Sequence, residues 1–152
     1  MTTVATANGK LQGRDNPGCT AFLGIPFAES PVGALRWAPP VPAREWDGIR
    51  DATTYGPAPW QPTGGPLDGL VPGMGSEDQS DDCLNLNVWT PSIDGSLPVL
   101  VWIHGGYWQR GDKSIYSFLA TPFVQNGVNV VVVGYNLCPA VSMTQISEEL
   151  RE

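Results

Sequence analysis

Apolar residues recur along this chain in two rhythms. Val99 to Ile103 is an uninterrupted run, Val-Leu-Val-Trp-Ile, bounded by Pro98 and by Gly105-Gly106. Such a run reads as a strand buried on both faces, which belongs to a mostly parallel sheet with helices above and below. Val128 to Val133 repeats the signature. Cys83 to Thr90 instead alternates strictly through Leu84, Leu86 and Val88, which predicts a half-buried strand. Between the two apolar runs, Ser117 to Asn126 reads as a helix, with Pro122 in its first turn or kinking it and Gly127 capping its end. Leu97 to Val133 is therefore strand, helix, strand: a right-handed crossover joining two parallel strands. Ser142 and Gln145 have capping-box spacing, and Met143, Ile146 and Leu150 share one face of the helix that follows.

Upstream the elements are shorter. Val4 to Ala7, Leu11 to Arg14 and Thr20 to Ile25 read as strands. Asn8-Gly9 is a hairpin signal and Asn16-Pro17-Gly18 a second turn, so the opening is predicted to form a separate small antiparallel sheet. Pro26 to Gly75 holds ten prolines and is predicted to be loop, without long helices or central strands. Trp37, Trp46, Tyr55 and Trp60 recur there and are expected to pack it down onto the core. Leu67 to Ser80 is expected to be the most mobile stretch.

Composition narrows the picture. The 152 residues are 41% hydrophobic, enough for one ordinary domain, and Gly and Pro, high at 18 and 15, punctuate apolar segments without a period. A net charge of -7 argues against nucleic acid and anionic membranes as partners. No apolar stretch reaches 18 residues, so no membrane span is expected. The first ten residues lack a basic cluster followed by a long apolar stretch, so no secretory signal is read. Cys19, Cys83 and Cys138 are widely spaced and odd in number, fitting neither a zinc site nor a disulfide framework. A reducing cytoplasm is the expected location, with no metal and no cofactor.

The chemistry gathers at the end of the Val99 to Ile103 strand. Open α/β sheets keep their ligand crevice at the carboxyl ends of strands. Gly105 and Gly106 allow backbone N–H groups to turn outward there, and two such donors, with Tyr107 adjacent, suit a developing oxyanion. A bare Gly-Gly equally serves as a flexible turn. His104 either braces the loop by hydrogen bonding or is a satisfied histidine at a strand end. Trp108 either lines an acyl or aromatic pocket or packs against the sheet. The triplet His104-Gly105-Gly106 after a buried strand looks like the oxyanion-hole segment of lipases and esterases.

Thr20 through Trp37 (Thr-Ala-Phe-Leu-Gly-Ile-Pro-Phe-Ala-Glu-Ser-Pro-Val-Gly-Ala-Leu-Arg-Trp), onward to Trp46-Asp47-Gly48, resembles the amino-terminal part of type B carboxylesterases. Asp81-Asp82-Cys83-Leu84-Asn85-Leu86-Asn87-Val88-Trp89 is similar to that family's second signature, with Asp81 where glutamate is usual. The family's bridge to Cys83 has no partner here, since Pro57-Ala58-Pro59-Trp60 stands where the upstream cysteine would be. After His104 the text changes. Gly105-Gly106-Tyr107-Trp108 and Gly134-Tyr135-Asn136-Leu137-Cys138-Pro139 are similar to the kynurenine formamidase group, marked by His-Gly-Gly-x-Trp. Residues 1–96 thus look carboxylesterase-like, and 97–152 a shared strand followed by formamidase-like text.

Both resemblances imply an incomplete α/β-hydrolase fold: a small amino-terminal antiparallel sheet plus the first strands and helices of a central, mostly parallel sheet. They imply the amino-terminal part of one domain, stopping before the nucleophile elbow. No Gly-x-Ser-x-Gly occurs, Ser76 is the serine set closest among glycines, and the single histidine, His104, sits in the oxyanion motif. Nucleophile, base and acid are absent from these residues. The expected function is that of a carboxylic ester hydrolase family member, acting on a small ester or amide when completed and inactive alone. The alternative is a noncatalytic truncated or chimeric product: an interaction module, or one without function. Cys138 as a nucleophile ranks last, because no second histidine exists to activate it. A sheet cut at this point leaves Val99 to Ile103 or Val128 to Val133 as an apolar edge, so self-association is expected.

Overall fold

The structure, a computed structural model, describes residues 1–65 and 78–151. Most of the predicted mobile stretch, and Ser76 with it, lies outside the described residues. The elements in order are β1 (Thr2–Thr6), β2 (Gly9–Asn16), β3 (Cys19–Pro26), β4 (Ile49–Ala52), β5 (Asn85–Thr90), β6 (Val99–Ile103), α1 (Ala120–Val124), β7 (Asn129–Val133) and α2 (Met143–Glu149). Short 3-10 turns cover Gly33–Leu35 and Ile115–Leu119. Among the described residues the strands run β1-β2-β3-β5-β7-β6, with β4 added to β2.

The opening meander is present, but it is not separate. The first half of β2 pairs with β1 and, in parallel, with β4, while Arg14 to Asn16 pair with β3. β3 then pairs antiparallel with β5, so the small sheet runs continuously into the larger one. The large sheet is mixed: β3, β5 and β7 alternate in direction, and β6 lies parallel to β7 with Val99 opposite Asn129 and Ile103 opposite Val133. A bulge interrupts β3 between Phe22 and Ile25. Gly24 sits in it at φ 65, where a Cβ would lie 2.8 Å from the Gly56 nitrogen. Its N–H donates to Asn87 Oδ1 at 3.0 Å.

That bond corrects the reading of β5. Its polar positions are the more buried ones: Asn85 and Asn87 are buried, whereas Leu86 and Val88 are half-buried. An inner strand has a neighbour on each side and layers on both faces, so its alternation marks what each face must bond rather than which face meets water. Val4 to Ala7 and the other short segments, by contrast, fall on β1 to β3 within a residue or two at each end.

One face of the large sheet is covered by α1. Val130 and Val132 of β7 pack there with Ala120, Val124, Ala21, Leu23 and Trp89. On the other face the small sheet covers only the β3–β5 side, through Leu11, Phe22 and Ala52 with Val4, Ile25, Trp46 and Val88. β6 is therefore not buried on both faces. Leu100 and Trp102 point toward α1, but Val99, Val101 and Ile103 are 58%, 56% and 50% exposed. The helix predicted over Ser117 to Asn126 begins as a 3-10 turn, and its α-helical part is only five residues long. Pro122 lies within that short helix, which limits its regular bonding. Gly127 closes it as predicted, at φ 76, donating to Val124 while Val128 donates to Phe123.

The 26–65 segment contains β4 in addition to loop. Of its aromatics, Trp46 packs against the Leu11 cluster and donates to the Lys10 carbonyl, whereas Trp37, Tyr55 and Trp60 stay exposed. Polar groups tie two of these exposed residues down instead: the Trp37 carbonyl accepts from Gln145 Nε2 and the Tyr55 hydroxyl donates to Ser117 Oγ. The Ser142–Gln145 capping box on α2 is present. Its buried face, however, is Ile146 with Glu149, and Leu150 partly; Met143 is exposed, because the first turn of α2 projects past the cluster formed by Tyr135 and Leu137.

Candidate active site

β6 delivers the chain to His104, and three consecutive carbonyls after it are pinned. The His104 carbonyl accepts from the Tyr135 hydroxyl. The Gly105 carbonyl lies 2.8 Å from His104 Nδ1. The Gly106 carbonyl accepts from the N–H groups of Gln109, at 3.2 Å, and Arg110, at 3.0 Å. In a trans peptide the N–H points opposite to the C=O. Pinning each carbonyl therefore turns the N–H groups of Gly105, Gly106 and Tyr107 away from the partners that hold it. None of these three donors has an acceptor among the described residues.

Gly106 is the residue this geometry cannot do without. It sits at φ 132, and a Cβ there would lie 1.7 Å from the Arg110 carbonyl oxygen. Gly105 has open space around the same position. Tyr107 and Trp108 follow at φ 56 and 58, two bulky residues in the left-handed region that favours glycine. Tyr107 is 79% and Trp108 44% exposed. Trp108 thus does not pack into the sheet, although its carbonyl is held by the Cys138 N–H at 2.7 Å.

His104 is the buried anchor of the loop. Its ring stacks on Tyr135 at 4.4 Å between centroids and on Tyr116 at 5.7 Å. Burial lowers its pKa, against the raising influence of the Gly105 carbonyl and Asp112. A neutral ring with the proton on Nδ1 fits both facts: Nδ1–H donates to Gly105, and Nε2 is left without a hydrogen-bond partner. Tyr135 remains a donor because burial, with Tyr116 second, pushes its pKa up to about 12.

Several supporting groups carried no signal in the sequence pattern. Gln61 clamps Gly111 through both ends of its amide, accepting from the Gly111 N–H at 3.0 Å and donating to its carbonyl at 3.2 Å. Lys113 is fully buried, and Nζ donates to the Pro57 carbonyl at 2.9 Å, the Gly56 carbonyl at 3.4 Å and Asp112 Oδ2 at 3.3 Å. Asp112 Oδ1 accepts from the Ser114 N–H and hydroxyl. Gly134, just past β7, leaves room for Lys113: a Cβ would lie 3.0 Å from its Cδ. Beyond it, Glu149 takes the Asn136 N–H and Nδ2 at 2.9 and 2.8 Å, and the Cys83 thiol donates to Asn136 Oδ1 at 3.1 Å. Burial raises the pKa of both Glu149 and Cys83. Arg36 and Asp81, one from each of two sequence motifs, meet in an ion pair at 3.6 Å beside this cluster. Cys19, Cys83 and Cys138 are all free, and the half-buried Cys138 packs beside Tyr135, Leu137 and Ile146.

Comparison with known proteins gives the lineage. The model of the carboxylesterase family matches residues 1–139, which includes His104 to Trp108. Phenmedipham hydrolase of Pseudarthrobacter oxydans is 40% identical over 149 residues, covering 95% of this chain and 30% of the relative. Cocaine esterase of Homo sapiens is 41% identical over 129 residues, covering 80% of this chain and 23% of the relative. The crystal structure of a Geobacillus stearothermophilus carboxylesterase at pH 6.2 superposes with a TM-score of 0.78 at 40% identity, covering 90% of this chain and 26% of that one. A thermophilic pNB esterase gives a TM-score of 0.80 at 37% identity, covering 90% and 28%. The chain belongs to the carboxylesterase family and has part of the α/β-hydrolase fold of its structural neighbours. It spans about 30% or less of the length of these relatives.

Proposed function

We propose, from this family membership and the unbonded N–H groups after β6, that the chain supplies the oxyanion-stabilising part of a serine-type carboxylic ester hydrolase. Gly105 and Gly106, with Tyr107 adjacent, donate backbone N–H groups to the oxygen that gains charge during acyl transfer. His104 holds the Gly105 carbonyl, so it orients the next N–H rather than moving a proton; its burial between two tyrosines suits that role and not a triad base. The observation that carries the reading is the set of three pinned carbonyls with three free donors.

These 152 residues contain no Gly-x-Ser-x-Gly and one histidine, so by themselves they do not carry out serine hydrolysis. In this reading they are the amino-terminal part of one α/β-hydrolase domain, and the esterase activity belongs to the whole fold. The His104-to-Trp108 text, similar to the formamidases, extends the substrate class from esters to amides. A cytoplasmic location completes the proposal; no helix among the described residues is long and apolar enough to cross a membrane. The test is a nitrophenyl ester assay on the 152-residue chain. We expect no turnover that a serine-directed phosphonate abolishes, and phosphonate-sensitive turnover would overturn the proposal.

A second reading, a noncatalytic interaction module, is favoured by β6. Its exposed Val99, Val101 and Ile103 form an apolar row on the end strand of the described sheet. In this reading the chain self-associates through that edge, and sedimentation that finds only monomer across concentrations would count against it.

A further inference from the structure

Tyr107 and Trp108 present a contradiction that packing does not resolve. Both occupy the left-handed region, where glycine or asparagine sits without strain and a large side chain does not. Strain of this kind persists only where the surroundings fix the backbone, and it concentrates at ligand clamps and active sites. The surroundings do fix it: the Gly106 carbonyl is held by Arg110 and Gln109 on one side, and the Trp108 carbonyl by Cys138 on the other. That explains the backbone and leaves the side chains unexplained. Neither ring joins any buried apolar cluster, and Tyr107 is the more exposed of the two. The two rings lie beside each other, 5.6 Å between centroids at 49°. A pair of large aromatic faces is thus held out of the core on the residues that carry or directly follow the unbonded donors of Gly105, Gly106 and Tyr107.

We infer that Tyr107 and Trp108 form a binding platform for the flat aromatic group of an aromatic carboxylic ester or amide, on the acyl side of the bond. The inference rests on the oxyanion reading only for its location. The carbonyl oxygen sits on the backbone donors and the ring attached to that carbon lies against the aromatic pair. Aromatic side chains favour tilted or offset contact with another ring over contact with a saturated ring of equal size. The platform therefore selects aromatic acyl groups over alicyclic ones and makes no demand on the alcohol or amine side.

Amide and indole NMR of the 152-residue chain tests this with three carboxylates: benzoate, cyclohexanecarboxylate and acetate. We expect benzoate to shift both the Gly106 and Tyr107 amides and the Trp108 indole, and to bind about two- to tenfold more tightly than cyclohexanecarboxylate. Trp108→Gly is expected to remove that preference, so that benzoate and cyclohexanecarboxylate bind equally. Equal binding of benzoate and cyclohexanecarboxylate by the unaltered chain, or a preference that survives Trp108→Gly, would overturn the platform. The two readings fail separately. Amide shifts without an indole shift sink the platform alone. An indole shift with benzoate but no amide shift with any carboxylate upholds the platform and sinks the oxyanion role.

Discussion

β6 and β7 lie side by side, run in the same direction and release the chain at the same end of the sheet. The segments that follow them are opposites. After β7, Gly134 to Leu137 are buried and paired: Gly134 N–H to the Asn85 carbonyl, Tyr135 hydroxyl to His104, Asn136 to Glu149 and Cys83. After β6, Gly105 to Gln109 are exposed or half-buried, strained at two aromatic residues, and unbonded at three consecutive N–H groups. The second segment is possible because of the first. Tyr135 stacks on His104 and holds its carbonyl, and Cys138 holds the Trp108 carbonyl.

The largest test of that dependence is Lys113, whose buried stem lies against Gly134 and whose Nζ bonds three oxygens. Lys113→Met leaves Asp112 buried without its cation and should cost about 3 to 5 kcal/mol in chemical denaturation. A loss below 1 kcal/mol would mean that Asp112 does not depend on the Lys113 cation. Next in size is Gly106→Ala, which drives a Cβ into the Arg110 carbonyl and should cost about 3 kcal/mol. Gly105→Ala meets open space and should stay within about 0.5 kcal/mol, so equal effects at the two glycines would contradict the described turn.

Tyr135→Phe keeps the stack on His104 and removes one hydrogen bond, leaving the His104 carbonyl unpaired. We expect a loss of about 1 to 3 kcal/mol, with amide shifts concentrated at Gly105 and Gly106. Shifts spread evenly through the core would show that Tyr135 is a packing residue only.

The smallest effect is a pH dependence in which the two segments oppose each other. His104, on the β6 side, has a folded pKa below its ordinary value of 6.5, so the unfolded chain binds the proton first. Its contribution is fully present above pH 6.5 and is lost as pH falls through the folded pKa. Glu149, on the β7 side, has a folded pKa above its ordinary 4.5, so the folded chain binds the proton first. Its burial penalty is relieved as pH falls through the folded pKa toward 4.5. Denaturation curves between pH 7 and 4.5 should therefore fall more steeply for Glu149→Gln than for the unaltered chain. Parallel curves would show that Glu149 is not a charge held against burial.

Much of this molecule follows from the sequence alone. Apolar rhythm placed three of the large-sheet strands, β5, β6 and β7, and the parallel pairing of two of them, Asn8-Gly9 placed the first hairpin, and Ser142-Gln145 placed the start of α2. These features depend on contacts within a few residues, or on a periodicity that any packing partner must respect. The His-Gly-Gly text located the loop but not its working parts. That Gly106 and not Gly105 is indispensable depends on Arg110 folding back over it, a turn with no pattern of its own. Tertiary structure also decided what each strand faces. Val99 to Ile103 and Asn129 to Val133 are similarly apolar, yet one has an exposed face and the other lies between two strands, because burial belongs to a strand's neighbours. The same reason hides Lys113 and Glu149 from any sequence reading: charged residues belong outside by default, and carbonyls from Gly56 and Pro57 let Lys113 stay inside, as the amide and N–H of Asn136 do for Glu149, while Asp112 is held by its neighbours Lys113 and Ser114.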